Sequence, residues 1–203
     1  MNEDPRHRNK CFGTGTIHGY LTEYTTALSR ALENIKPETL NKAFNVIETA
    51  INSGGRVLIA GNGGSASIAD HASCDWSKGT MSKKYKPLPV ISLASNVSLM
   101  TAIANDFGYD EIFSTQLRIL GKGGDVLILI SSSGNSPNVL KAAHEARSIG
   151  IKTVGLSGFA GGKLMELVDA PVHVEYSNYG VAEDAHQILL HVFSQVLAAR
   201  RDK

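Results

Sequence analysis

Val126-Leu127-Ile128-Leu129-Ile130 is an unbroken aliphatic run, entered from Gly123-Gly124-Asp125 and left through three serines. A strand with one face in water alternates apolar and polar residues, whereas a run without alternation has to be covered on both faces. That is what a parallel strand between two helical layers requires. Similar short β-branched or aliphatic runs occur at 56–60, 88–93, 152–156 and 171–175, each followed by glycine or serine and then by a helical pattern. Two helical patterns come before any of them. In 20–35 the residues Leu21, Tyr24, Leu28, Ala31, Leu32 and Ile35 recur at helical spacing, and a second pattern runs from Pro37 to Ser53, where Gly54-Gly55 turns the chain. A last helix is expected over 181–199. The expected fold class is therefore α/β: a three-layer α/β/α sandwich with a five-stranded parallel sheet and two N-terminal helices before the first strand.

The chain has 203 residues, enough to bury a full core in one domain without disulfides or a structural metal. Residues 1–14 are polar and aperiodic and are expected to form a flexible N-terminal arm, with 15–203 as a single domain. Twenty Lys and Arg balance 19 Asp and Glu, so the net charge of +1 gives no electrostatic reason for nucleic-acid or membrane-surface binding. No apolar run approaches the roughly 18 residues of a membrane span, and the charged stretch 1–10 has no apolar h-region, so no export signal is expected. Only Cys11 and Cys74 are present, too few for a disulfide framework. A cytoplasmic protein is the expectation.

In a parallel α/β sheet, ligands bind at the carboxyl ends of the strands. Two of the turns there are unusual: Gly61-Asn62-Gly63-Gly64-Ser65, and Ser131-Ser132-Ser133-Gly134-Asn135-Ser136-Pro137. Glycine lets backbone N–H groups approach an anion, the following helix N-terminus offers free donors and partial positive charge, and the serine hydroxyls add more donors. Pro137 at the first helical position, with Ser136 as N-cap, would fix the second turn. Neither turn is a lysine-bearing P-loop or a dinucleotide fingerprint, which points to a phosphorylated metabolite. Asn62, Gly63, Gly64, Ser65, Ser131, Ser132, Ser133 and Ser136 are the residues expected to bind it.

His71 and Asp75 stand four residues apart and share one face of the helix that follows the glycine turn. On the last helix Glu183 and His191 are eight residues, about 12 Å, apart on one broad side. His186 lies about 140° around the helix from His191 and is expected to be a buried supporting residue. Asn105-Asp106 follows a helical pattern over 95–104 and begins Asn-Asp-Phe-Gly, a turn composition. Lys78 reads as a solvated surface residue, and Trp76 as a core or interface residue.

The glycine turn followed by His71, then Asn105-Asp106-Phe107-Gly108, the serine turn, and a C-terminal helix with His186 and His191 together resemble the sugar isomerase (SIS) domain family. Within it, they resemble the phosphoheptose isomerases. The resemblance runs from about residue 22 to 197. It implies interconversion of sedoheptulose 7-phosphate and a heptose 7-phosphate, and a homotetramer with active sites shared between subunits. It also implies a zinc site at His71, Asp75, Glu183 and His191, with Asp75 as base, His191 as proton donor, and Asn105 and Asp106 reaching the sugar hydroxyls. This sequence has Asp75 where the family commonly has Glu, and Glu183 where it commonly has Gln. Both changes favour a bound cation; they also leave open that Glu183 serves as the base. Alternative readings are isomerisation of another phosphosugar, such as an octulose 8-phosphate, and a non-catalytic SIS protein that binds a sugar phosphate or a replication initiator.

Overall fold

A computed structural model describes residues 12–13, 15–81 and 87–201, so Cys11 and most of the expected N-terminal arm lie outside the described residues. Two helices, α1 (Ile17–Glu33) and α2 (Pro37–Asn52), precede β1 (Val57–Gly61). The chain continues through α3 (Gly64–Gly79), β2 (Val90–Ser92), α4 (Val97–Phe107), a 3-10 turn (Tyr109–Glu111) and α5 (Ile112–Leu120). It then forms β3 (Val126–Ser131), α6 (Pro137–Ile149), β4 (Lys152–Ser157), α7 (Leu164–Leu167), β5 (Ala170–His173) and α8 (Tyr179–Arg201). The expected α/β sandwich is what forms: the five strands make one sheet in the order β2-β1-β3-β4-β5, and every pair is parallel.

The unbroken aliphatic run supplies both cores. Val126, Ile128 and Ile130 join the cluster under α1, α2, α3 and α8, while Leu127 and Leu129 join the cluster under α4, α5, α6 and α7. Strand side chains alternate between faces, so a run that is apolar at every position can feed two helical layers.

Three features position the functional region. The strand order reverses between β1 and β3, since β1 leads through α3 to β2 on one side while β3 leads through α6 to β4 on the other. A reversal of this kind opens a crevice at the carboxyl ends, and the turns beside it are the glycine and serine turns. The long helices α3 and α8 pack together, and the buried indole of Trp76 donates to the Leu190 carbonyl at 3.0 Å. That bond sets the register of one helix along the other. The third feature is the Gly108 terminus of α4, where φ is +100°. The composition around Asn105 and Asp106 predicts a turn, but both residues form the last helical turn of α4, because the break comes at Gly108 rather than before the Asn-Asp pair.

At the opposite end of the sheet, Arg56 enters β1 beside Asp125, which enters β3. The fully buried Asp125 carboxylate accepts from the Arg56 main-chain N–H at 2.9 Å, from its guanidinium at 2.6 Å, and from the Lys122 N–H at 3.1 Å. A groove of about 800 Å³ lies at this amino end, lined by α2 and by Asp125, Lys152 and Asp169. It is remote from the glycine and serine turns, and its Asp125 and Asp169 carboxylates are already held by Arg56 and Lys152.

Candidate active site

The glycine turn leaves β1 at Gly61 and enters α3 through Gly63, whose φ of +54° requires glycine. Gly64 is constrained differently: a Cβ there would overlap the Glu183 carboxylate, so α8 places this acid directly on the first turn of α3. Glu183 is half-buried, and burial first, then the charge of Asp184, raise its pKa. Asp184 itself accepts from the Tyr24 hydroxyl of α1 at 2.7 Å. Burial and that hydrogen bond raise the Tyr24 phenol above its usual value.

The serine turn closes with a Gly134 N–H donating to the Ser131 carbonyl at 2.9 Å. Gly134 has φ +63°, and a Cβ there would run into the Gly161 carbonyl. The segment after β4 therefore locks the turn from outside, with Gly158 N–H on the Ser132 carbonyl and Leu164 N–H on the Gly134 carbonyl. Ser136 occupies the N-cap position of α6 with Pro137 after it, as expected. Its hydroxyl does not cap, however; it pairs with the Ser131 hydroxyl at 3.2 Å. Ser133 Oγ accepts from the Asn135 N–H, and the buried Ser132 Oγ has no hydrogen-bond partner among the described residues. Ser65 is buried in the first turn of α3.

The Asn62 side chain faces Asn138 rather than open solvent. Its amide donates to Asn138 Oδ1 at 2.8 Å and receives the Asn138 amide at 2.8 Å, while the Tyr109 hydroxyl donates to Asn62 Oδ1 at 3.0 Å. On α4, the Asn105 amide donates to the Asp106 carboxylate at 2.8 Å. Tyr109 and Asn138 are participants that the sequence motifs do not single out. Asn138 directly follows Pro137 in the serine segment, which is a signal of a kind; nothing local marks Tyr109.

Further along α3, the seam with α8 carries the remaining candidates. His71 Nε2 and His191 Nε2 face each other at 2.9 Å, and the Gln187 amide nitrogen, one turn before His191, is also 2.9 Å from that atom. An N–H···N contact needs a single proton between the two rings, so the pair is a natural place to hold and pass one. Ser194 donates to Asp75 Oδ2 at 2.9 Å and lies 3.1 Å from the His191 carbonyl, which ties the carboxylate to the histidine's own helix. Gln187 and Ser194 are likewise absent from the motifs, although their spacing of four and three residues from His191 places them on its face of α8. His186 is fully buried, as expected, and burial holds its pKa at about 4, so the ring is neutral at physiological pH.

Of the four residues expected to share a metal, the structure brings together His71 and His191. Glu183 sits at Gly64, Asp75 is engaged by Ser194, and no three His, Cys, Asp or Glu side chains converge among the described residues. Two facing imidazole nitrogens fit zinc in donor chemistry.

A family model for the SIS domain matches residues 19–158. The phosphoheptose isomerase of Helicobacter pylori strain Shi470 is 39% identical over 178 residues, covering 88% of this chain and 92% of that protein. The solved structure of a phosphoheptose isomerase from Neisseria gonorrhoeae superposes with a TM-score of 0.81 at 32% identity, covering 90% of this chain and 97% of that one. One from Francisella tularensis gives 0.83 at 28% identity, covering 90% and 96%. The glycine and serine turns at the strand-order reversal, with a histidine-bearing seam leading away from them, are thus set in a fold and a sequence of one kind, and the chain belongs to the phosphoheptose isomerases of the SIS-domain family.

Proposed function

We propose that the protein isomerises sedoheptulose 7-phosphate to D-glycero-D-manno-heptose 7-phosphate through an enediolate. The observation that carries this reading is a spacing. His71 is seven residues from Gly64, so the histidine pair lies roughly 10 Å along α3 from the anion-binding turns. From C2 to the phosphorus of an extended ketose 7-phosphate there are seven bonds, which at about 1.2 Å each span about 8 Å. With phosphate held by Ser131, Ser132, Ser133, Ser136, Ser65 and the backbone of Gly63 and Gly64, the carbonyl end reaches the seam.

Asp75 is the proposed base. Ser194 holds its Oδ2, leaving Oδ1 to take the C1 proton. The electrons of that C–H bond form the C1–C2 double bond, and the C2 oxygen takes a proton from His191. Asp75 then returns the first proton to C2 while the C1 hydroxyl gives its own proton back to His191, which forms the C1 carbonyl of the aldose and restores both groups. Glu183, which stands nearer the turns, is assigned to a substrate hydroxyl, as are Asn105 and Asp106. Zinc, held by His71 and His191 with Asp75 and Glu183 as the further expected ligands, would polarise the carbonyl when bound. Stoichiometric zinc in protein purified without chelator is the expected result, and metal-free active protein would remove zinc from the account.

Ile17 is 89% exposed and Leu21 55% on α1, and Val192 is 47% exposed on α8 beside His191. These apolar positions support a homotetramer that covers them and shares the seam between subunits; a monomer mass by light scattering would count against it. Among the described residues no helix is long and apolar enough to cross a membrane, and a phosphorylated sugar substrate supports a cytoplasmic location. The spacing is tested by rates on ketose phosphates of six, seven and eight carbons. The seven-carbon substrate is expected to have the highest kcat/KM; preference for the eight-carbon sugar would reassign the substrate.

A further inference from the structure

The Asn62 amide is the meeting point of three segments that are distant in sequence. It lies in the glycine turn, Asn138 lies in the first turn of α6 behind the serine turn, and Tyr109 lies in the 3-10 turn after α4. Asn138 is 1% exposed, so its amide has no water alternative. The orientation of both amides is determined: the Val139 N–H, which can only donate, lies 2.9 Å from Asn138 Oδ1, so that atom is the oxygen. Asn138 then presents its nitrogen to Asn62 Oδ1 and its oxygen to Asn62 Nδ2. The Tyr109 hydroxyl fills the remaining acceptor position on Asn62.

This link joins the two turns beyond the carboxyl ends of β1 and β3, where the strand pairing stops at Gly61 and Ile130 and no longer holds one turn against the other. We propose that Asn138 and Tyr109 are positioning residues for the phosphosugar: through Asn62 they lock the glycine turn to the serine turn and set the separation of the two anion-binding elements. Preorganised donors bind an anion without the cost of ordering them, so loosening the link weakens ground-state binding and leaves the proton-transfer groups on the α3/α8 seam in place. The inference rests on the phosphosugar reading of the two turns.

Asn138→Asp replaces the donor to Asn62 with an oxygen, setting two acceptors against each other in a buried position. Tyr109→Phe removes one hydroxyl from a side chain that is 59% exposed, so it leaves folding intact even where Asn138→Asp lowers the melting temperature. For Tyr109→Phe the expected result is a KM for sedoheptulose 7-phosphate raised about five-fold, the equivalent of one ordinary hydrogen bond, with kcat within two-fold. For Asn138→Asp the expected rise is ten-fold or more. Calorimetric titration with inorganic phosphate should show affinity falling in the same order. Unchanged KM and phosphate affinity in both folded variants would overturn the inference, as would a fall in kcat at constant KM. If the wild type turns over no sedoheptulose 7-phosphate, the functional reading fails separately and the phosphate titrations decide the inference alone; a wild type that binds no phosphate overturns it.

Discussion

His191→Ala is expected to lower kcat on sedoheptulose 7-phosphate by about 10²–10⁴-fold, the usual weight of a general acid–base group, in a protein that still folds. The side chain is only partly buried and its Nε2 contacts are His71 and Gln187, so its removal opens no core cavity. Asp75→Asn is expected to fall in the same range because an amide cannot accept the C1 proton, although it can still receive the Ser194 hydroxyl. Steady-state rates check both. A His191→Ala enzyme within three-fold of wild type would place the acid elsewhere.

Asp125→Ala is the largest expected effect on stability, about 3 kcal/mol, because it leaves the Arg56 guanidinium and two main-chain N–H groups short of their acceptor. For a chain of this length that lowers the melting temperature by about 6–12 °C. Burial pushes the Asp125 pKa up, but the Arg56 hydrogen bonds, the Lys122 N–H and the Arg56 charge outweigh it and hold the carboxyl below its usual value. The sign follows from that depression. The unfolded state takes up this proton first, so the contribution is complete above the ordinary carboxylate pKa of about 4 and is lost as pH falls through the lower folded value. Asp125→Asn should therefore flatten the acid limb of the stability curve as well as lower it. Thermal melts between pH 3 and 7 read both effects, and a variant with the wild-type melting temperature at pH 7 would show the pair to be dispensable.

Elements governed by local pattern are legible in the amino-acid sequence. Val126 to Ile130, short, unbroken and flanked by glycines and serines, reads as a strand covered on both faces, and the glycine and serine turns follow from asking where a parallel sheet puts its ligands. Where a local rule competes with tertiary context, the sequence misleads. Asn-Asp-Phe-Gly has the composition of a turn, yet α4 continues through Asn105 and Asp106 because the break is at Gly108. Ser136 has the identity and position of an N-cap, yet its hydroxyl meets Ser131 across the turn. The Asn62–Asn138 and Ser194–Asp75 bonds join residues 76 and 119 positions apart, a proximity that no periodicity encodes. The placement of Glu183 on Gly64 belongs with these, since it depends on how α8 lies along α3. Spacing along α8 shows that Glu183 and His191 are two turns apart; only the packing shows that they meet different parts of α3.

The most direct test is incubation of the purified protein with sedoheptulose 7-phosphate, followed by proton NMR of the sugar pool. The account predicts that anomeric signals of a heptose 7-phosphate grow to a constant ratio with the ketose, and that His191→Ala and Asp75→Asn approach that ratio far more slowly. A ketose that stays unchanged with the wild-type protein, at enzyme concentrations where phosphate binding is saturated, would contradict it.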